Sequence, residues 1–238
     1  MAPDVYVGDA DQIRHALVRD FSAEATRSIA ARGFFAVALP GGSVAINTFP
    51  ALGALALDWG RVHIFWADER AVEPSDPESN FGAARERWLD PARVPSQSIH
   101  RMPADSVDLD RAAAAYADQL AQVLGMPPRF DFVLLGVGPD GHVASLFPGH
   151  ALLAEDSRSV AAVVDAPKPP PRRLTLTMPV LAGADRVVVV AYGRSKAAVL
   201  REAVEGPGSM LPVALVLRRS KRALVLADKD AGSLLHST

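Results

Sequence analysis

Short runs of unbroken apolar residues, separated by stretches of helical periodicity, set the tightest limit on how this chain can fold. Phe34-Phe35-Ala36-Val37-Ala38-Leu39, Val62-His63-Ile64-Phe65-Trp66, the run from Phe130 to Gly136 and the run from Arg186 to Tyr192 lack the polar alternation of a half-exposed strand. A strand that is apolar on both faces has to be covered on both. Between these runs the period changes. Asp9 and Gln12 make a capping-box pattern ahead of Ile13, Ala16, Leu17, Phe21 and Ile29, and Gly33 stops that stretch after Arg32. Further helices are expected from about Ser43, over 79–89, 108–124, 179–183 and 194–204. Shorter strands are expected near 159–164, 213–217 and 223–227, with a polar loop over 67–78. The fold class that follows is α/β: an open, mostly parallel, doubly wound sheet with helices on both faces.

A chain of 238 residues is long enough to bury roughly 70% of the surface it exposes when unfolded, so one domain over 1–238 needs no staple. The composition, 49% hydrophobic and 22% charged, excludes a disordered chain. Twenty-five basic against 27 acidic side chains leave a net charge of −2, too little positive field to grip nucleic acid or an anionic membrane. Cysteine is absent, which removes disulfides, thiolate metal sites and cysteine nucleophiles. The opening MAPDVYVGDADQIRHAL has no basic stretch followed by an apolar one, so no signal peptide is expected. With no run of about 18 apolar residues either, a soluble, cytoplasmic protein is expected.

In a doubly wound sheet ligands sit beyond the carboxyl ends of the strands, and four such loops carry chemistry. Pro40-Gly41-Gly42-Ser43 leaves a strand and opens a helix. It is either a plain connection or an anion cradle, in which Gly41 and Gly42 let the backbone approach and Ser43 adds a hydroxyl. Ala67-Asp68-Glu69-Arg70 offers either a surface salt bridge or an Arg70 fork for phosphate, with Asp68 orienting a sugar hydroxyl or water. Gly193-Arg194-Ser195-Lys196 places Lys196 in the first turn of a helix, where it reaches solvent or a phosphate. Arg172 or Arg173, emerging from the proline segment 166–171 that is expected to rim the site, is a further anion donor.

The fourth loop is Gly136-Val137-Gly138-Pro139-Asp140-Gly141-His142. Its G-x-G-x-x-G spacing resembles a dinucleotide fingerprint, but Asp140 would repel a pyrophosphate, so that cofactor reading is rejected. What remains is a histidine two residues from a carboxylate, the arrangement of a general base at neutral pH. His150 is expected on an exposed loop rather than lining the pocket; His63 is expected in a strand and His15 on a solvated helix, neither with a partner. A metal site from His142, Asp140 and His150 has no recognised ligand spacing.

The stretch from Phe132 to Gly149 resembles the signature of the 6-phosphogluconolactonase family, as do Trp66-Ala67-Asp68-Glu69-Arg70, Glu78-Ser79-Asn80-Phe81 and Arg173-Leu174-Thr175-Leu176-Thr177-Met178-Pro179. The likeness spans about residues 10–227. It implies the open α/β fold shared with glucosamine-6-phosphate deaminases, no metal or organic cofactor, and a monomer or weak homodimer. The implied reaction is hydrolysis of 6-phospho-D-glucono-1,5-lactone to 6-phospho-D-gluconate, in the oxidative pentose phosphate pathway. His142 would activate water, Asp140 would hold its ring, and Gly41, Gly42, Ser43, Asp68, Arg70, Asn80, Arg173 and Lys196 would bind the phosphorylated sugar. Charge on the carbonyl oxygen would be met by the backbone around 136–142 or by Arg70. Two departures stand out. The usual Ser-Gly-Gly-Ser-Thr-Pro turn reads Pro40-Gly41-Gly42-Ser43-Val44-Ala45 here, and Pro139 and Val143 replace an acidic residue and a threonine. Where deaminase relatives carry a glutamate that relays protons, this chain has Phe147. A sugar-phosphate sensor would keep the phosphate loops and lose the base, so Asp140 and His142 together point to an enzyme.

Overall fold

The computed structural model describes residues 2–236. Along the chain lie β1 (Asp4–Gly8), α1 (Ala10–Arg32), β2 (Phe35–Leu39), α2 (Gly42–Gly53), β3 (Val62–Trp66), β4 (Asp68–Arg70), α3 (Asn80–Ala84), α4 (Leu109–Leu124), β5 (Phe132–Gly136), β6 (Val160–Val163), β7 (Arg173–Leu176), α5 (Met178–Ala182), β8 (Arg186–Ala191), α6 (Ala197–Glu205), α7 (Pro212–Arg219) and β9 (Ala223–Asp228). Six strands form one parallel sheet in the order β1-β9-β8-β5-β2-β3. Every residue of β2 and of β8 is buried, as strands covered on both faces require.

Capping starts and stops the longest helix. Gln12 N–H donates to Asp9 Oδ1 and Asp9 N–H to Gln12 Oε1, both at 2.9 Å, and Gly33 ends α1 with φ +85°. The apolar face of α1 puts Phe21 edge-on against Phe35 (5.1 Å), Phe132 (5.4 Å) and Trp88 (5.7 Å). Burying a ring like this contributes about 1.5–3 kcal/mol.

Strand order locates the crevice. From β2 the chain steps to β3 on one side, then returns to β5 and continues through β8 and β9 on the other. The reversal falls between β2 and β5, which share only the pairs Val37 with Phe132 and Ala38 with Val133. Beyond them β5 runs on without β2 beside it, so a gap opens at the carboxyl end of the sheet.

Three details differ from the sequence-based expectation. Residues 213–217 are helical, not extended: α7 is buried at its six positions from Pro212 to Leu217. A helix apolar on all sides has no visible period, and the signal that identifies it is Pro212 at its first turn. The chain also begins with a strand, β1, at the sheet edge; its Tyr6 and Val7 are exposed, which weakens the apolar pattern there. Finally, the start of the expected loop 67–78 is strand β4, which joins β7 and β6 in a separate antiparallel sheet of order β4-β7-β6.

Candidate active site

The turn after β5 is built by its glycines. Gly138 N–H donates to the His142 carbonyl and Gly141 N–H to the Gly138 carbonyl, both at 2.9 Å, while Gly141 takes φ +84°. A Cβ on Gly138 would lie 2.0 Å from His142 Nδ1, so only a glycine lets the imidazole lie against the backbone. Helix α7 props the turn from behind, Val213 N–H donating to the Gly141 carbonyl at 3.0 Å. The amides of Gly138 and Gly141 are spent inside the turn, so neither is free for the oxyanion role expected of this backbone.

The turn brings Asp140 Oδ1 to 2.5 Å from His142 Nδ1. Burial opposes the charge on Asp140, but hydrogen bonds and charge from His142 and Lys168 outweigh it and bring the carboxyl down to about 2. Burial is also the largest influence on His142 and lowers its proton affinity, against the pull of Asp140. A carboxylate beside a neutral ring is the outcome near pH 7. With Nδ1 engaged, Nε2 is the atom left to take a proton.

Strand β4 supplies the opposite wall by its period of two. Asp68 and Arg70 share one face, and Glu69 turns to the other. Glu69 is buried and accepts from the amides of Arg70, Asn80 and Phe81 at 2.7–2.8 Å and from Ser79 Oγ at 3.1 Å, pinning the 78–81 segment. Asn80 is thereby set to donate from Nδ2 to the Asp68 carbonyl at 2.9 Å. Its side chain fills the space a Cβ on Gly41 would need, 1.7 Å from Oδ1. Asp68 Oδ2 accepts from Ser145 Oγ at 2.6 Å, so this carboxylate buttresses the wall. Opposite Arg70 in the β4–β7 ladder stands Arg173. Helix α2 opens at Gly42 (φ +62°) with no side-chain cap, which leaves its first amides to the gap.

These elements enclose a cleft of about 190 Å³ lined by Gly41, Gly42, Ser43, Asp68, Arg70, Asn80, His142, Arg173 and Lys196. Asp140 is joined to it through His142. Every site residue expected from sequence is therefore at one place. A larger recess of about 590 Å³ beside α6 has an acid and an imidazole, Glu205 and His236, but these are bonded to each other at 2.7 Å on the exposed surface.

Between the two candidate arginines the structure distinguishes. Arg172 donates to the Val107 carbonyl, whereas buried Arg173 lines the cleft. Arg173 also holds the proline segment, with Nε donating to the Pro170 carbonyl (2.9 Å) and Nη2 to those of Lys168 (3.0 Å) and Pro169 (3.3 Å). His63, expected to lack a partner, has one. His63 Nδ1 lies 2.9 Å from His100 Nε2, because the His63 side chain leaves β3 towards the segment carrying His100. His150 is half-buried and pairs with Asp165 at 3.0 Å, because its ring caps the turn at Ala151–Ala154. Sequence reasoning missed the roles of Ser145 and Lys168, whose partners Asp68 and Asp140 are distant in the chain, and of Glu69, which pins the neighbouring Arg70 and the 79–81 amides and hydroxyl. Among the described residues no group of three or more His, Cys, Asp or Glu is placed to hold a metal, and no helix is long and apolar enough to cross a membrane.

Sheet, switch point and cationic cleft together define a doubly wound α/β protein adapted to a small anionic molecule. The family model described as glucosamine-6-phosphate isomerases/6-phosphogluconolactonase matches residues 8–226. A 6-phosphogluconolactonase of Mycobacterium tuberculosis is 40% identical over 220 residues, covering 88% of this chain and 89% of its own. One of Rattus norvegicus is 42% identical over 211 residues, covering 86% and 82%. Among solved structures, 6-phosphogluconolactonase from Trypanosoma cruzi superposes with a TM-score of 0.88 at 26% identity, over 100% of this chain and 99% of that one. The chain belongs to the glucosamine-6-phosphate isomerase/6-phosphogluconolactonase family.

Proposed function

We propose that this chain, as one sugar-phosphate hydrolase domain, hydrolyses 6-phospho-D-glucono-1,5-lactone to 6-phospho-D-gluconate, the second step of the oxidative pentose phosphate pathway. The observation that carries the reading is the Asp140–His142 pair set into a cleft whose other walls are cationic. A lactone is an activated ester, so water suffices as nucleophile. His142 Nε2 takes a proton from water as the oxygen attacks C1, and Asp140 stabilises the imidazolium. The tetrahedral centre collapses with cleavage of the bond from C1 to the ring oxygen, which receives that proton. Ser43, Arg70, Arg173 and Lys196, with the free amides at the start of α2, hold the phosphate, and this remote binding positions C1 against the base. Asp68 and Asn80 shape the sugar-facing wall. No organic cofactor or metal takes part, and the reading places the protein in the cytoplasm as a monomer or weak dimer.

The isomerase chemistry in the family's description is disfavoured by one contact. The buried ring of Phe147 lies 4.8 Å from that of His142, and an apolar ring relays no proton. Freshly made lactone followed by acid release decides the matter. Proton release above the spontaneous rate is the expected result. Ammonia from glucosamine 6-phosphate with no acid from the lactone would reverse the assignment.

A further inference from the structure

The proline segment 166–171 forms a short strap beside the site. Its ends are tied by Ala166 N–H donating to the Pro171 carbonyl at 3.0 Å, and its middle is held by the Arg173 guanidinium described above. Arg173 is 4% exposed, so this anchor is part of the wall itself. The strap carries one charged side chain, Lys168. Its Nζ lies 3.2 Å from Asp140 Oδ1, the same oxygen that meets His142 Nδ1 at 2.5 Å. An ammonium and an imidazole thus share one carboxylate oxygen. We propose that Lys168 is a positioning residue for the hydrolysis: delivered by the strap, it fixes Asp140 and keeps the adjacent imidazole neutral and able to accept the proton of water.

The geometry supplies the reason. Lys168 Nζ and the His142 ring are no further apart than those two lengths laid end to end. At such a separation a unit positive charge disfavours protonation of the ring by about half a pH unit even at the dielectric of bulk water. The charged groups around His142 are Asp140 on its own turn, Lys168 from the strap, Asp68 and Arg70 on β4, Arg173 on β7, and Lys196 after β8. Burial lowers the proton affinity of the ring most, Asp140 and Asp68 pull a proton onto it, and Lys168 acts with burial against them. Without Lys168 the balance moves towards a charged ring, which is no base. Lys196 lines the cleft and is left for the substrate anion, so the two lysines divide the work.

This inference rests on the lactonase reading, and its test keeps the two separable. The variants are Lys168→Met and Lys168→Arg, on a side chain 39% exposed whose loss leaves the core untouched. The His142 ring signal is titrated by NMR in the free protein at low ionic strength, a readout that needs no substrate. In Lys168→Met the midpoint is expected to rise by about half a unit or more, and Lys168→Arg to restore it. The acid limb of kcat/KM against pH should move by the same amount, with KM changed less than about two-fold. An unmoved His142 midpoint overturns the proposal, and a large rise in KM with an unmoved midpoint makes Lys168 a substrate ligand instead. Failure of the lactonase reading shows separately, as no turnover by the unmodified protein, while the ring titration still decides the role of Lys168.

Discussion

Arg70 and Arg173 stand directly opposite each other across the antiparallel β4–β7 ladder, two positive charges on one face of a narrow sheet. Like charges so placed repel and destabilise the pair. Both line the cleft, and burial already lowers the proton affinity of Arg173. Asp68, 4.0 Å from Arg173 Nη1, and Glu78, 3.4 Å from Arg70 Nη1, offset part of that cost, and an anion bound at both guanidinium groups would offset more.

Inorganic phosphate should therefore raise the thermal midpoint in proportion to its binding, and a phosphorylated sugar acid should do so at lower concentration. In Arg70→Ala the shift should shrink at least several-fold and KM for the lactone should rise. Differential scanning fluorimetry with and without phosphate checks this. An equal shift in both proteins would place the anion elsewhere.

Gly138→Ala tests the construction of the turn. The added methyl would meet His142 Nδ1 at 2.0 Å, so the ring has to leave Asp140. Activity should fall by about 10² or more, on the scale of losing a positioned base, while the thermal midpoint changes by only a few degrees. Gly208→Ala is a useful comparison, since a methyl there meets nothing within 4 Å, its φ is not positive and the residue lies outside the cleft lining.

Acid stability should carry the mark of the other histidine pair. Burial, together with the charge of His63, brings His100 down to about 4, and burial lowers His63 as well. The unfolded chain protonates these rings near pH 6.5. It then binds more protons than the native state, so stability is lost as pH falls from about 6.5 towards 4 and levels off below. Thermal midpoints at pH 7.5, 6.5 and 5.0 should decline by several degrees, and His100→Gln should flatten that decline. A decline of equal slope in the variant would assign it to carboxylates.

Much of the site was legible because its residues follow strands whose apolar runs are unmistakable. Gly41, Arg70, His142 and Lys196 each come just after such a run, and the sheet gathers its carboxyl ends at one rim. What escaped was long-range or locally ambiguous. Val213 to Leu217 is apolar in every position, so length and Pro212, not period, distinguish the helix. Strand β4 has three residues, all of them charged, and exists because β7 pairs with it. Lys168 reads as one cation among prolines until the fold closes the 28 positions separating it from Asp140 into a single contact. His63 and His100 are likewise joined only by folding.

The central claim is that His142 accepts the proton of the attacking water. Comparison of kcat for lactone hydrolysis in the unmodified protein and in His142→Ala, both at saturating substrate and neutral pH and corrected for spontaneous opening, tests it most directly. A fall of about 10²–10⁴ with KM little changed is the expected result. Undiminished kcat in a correctly folded His142→Ala would contradict the account.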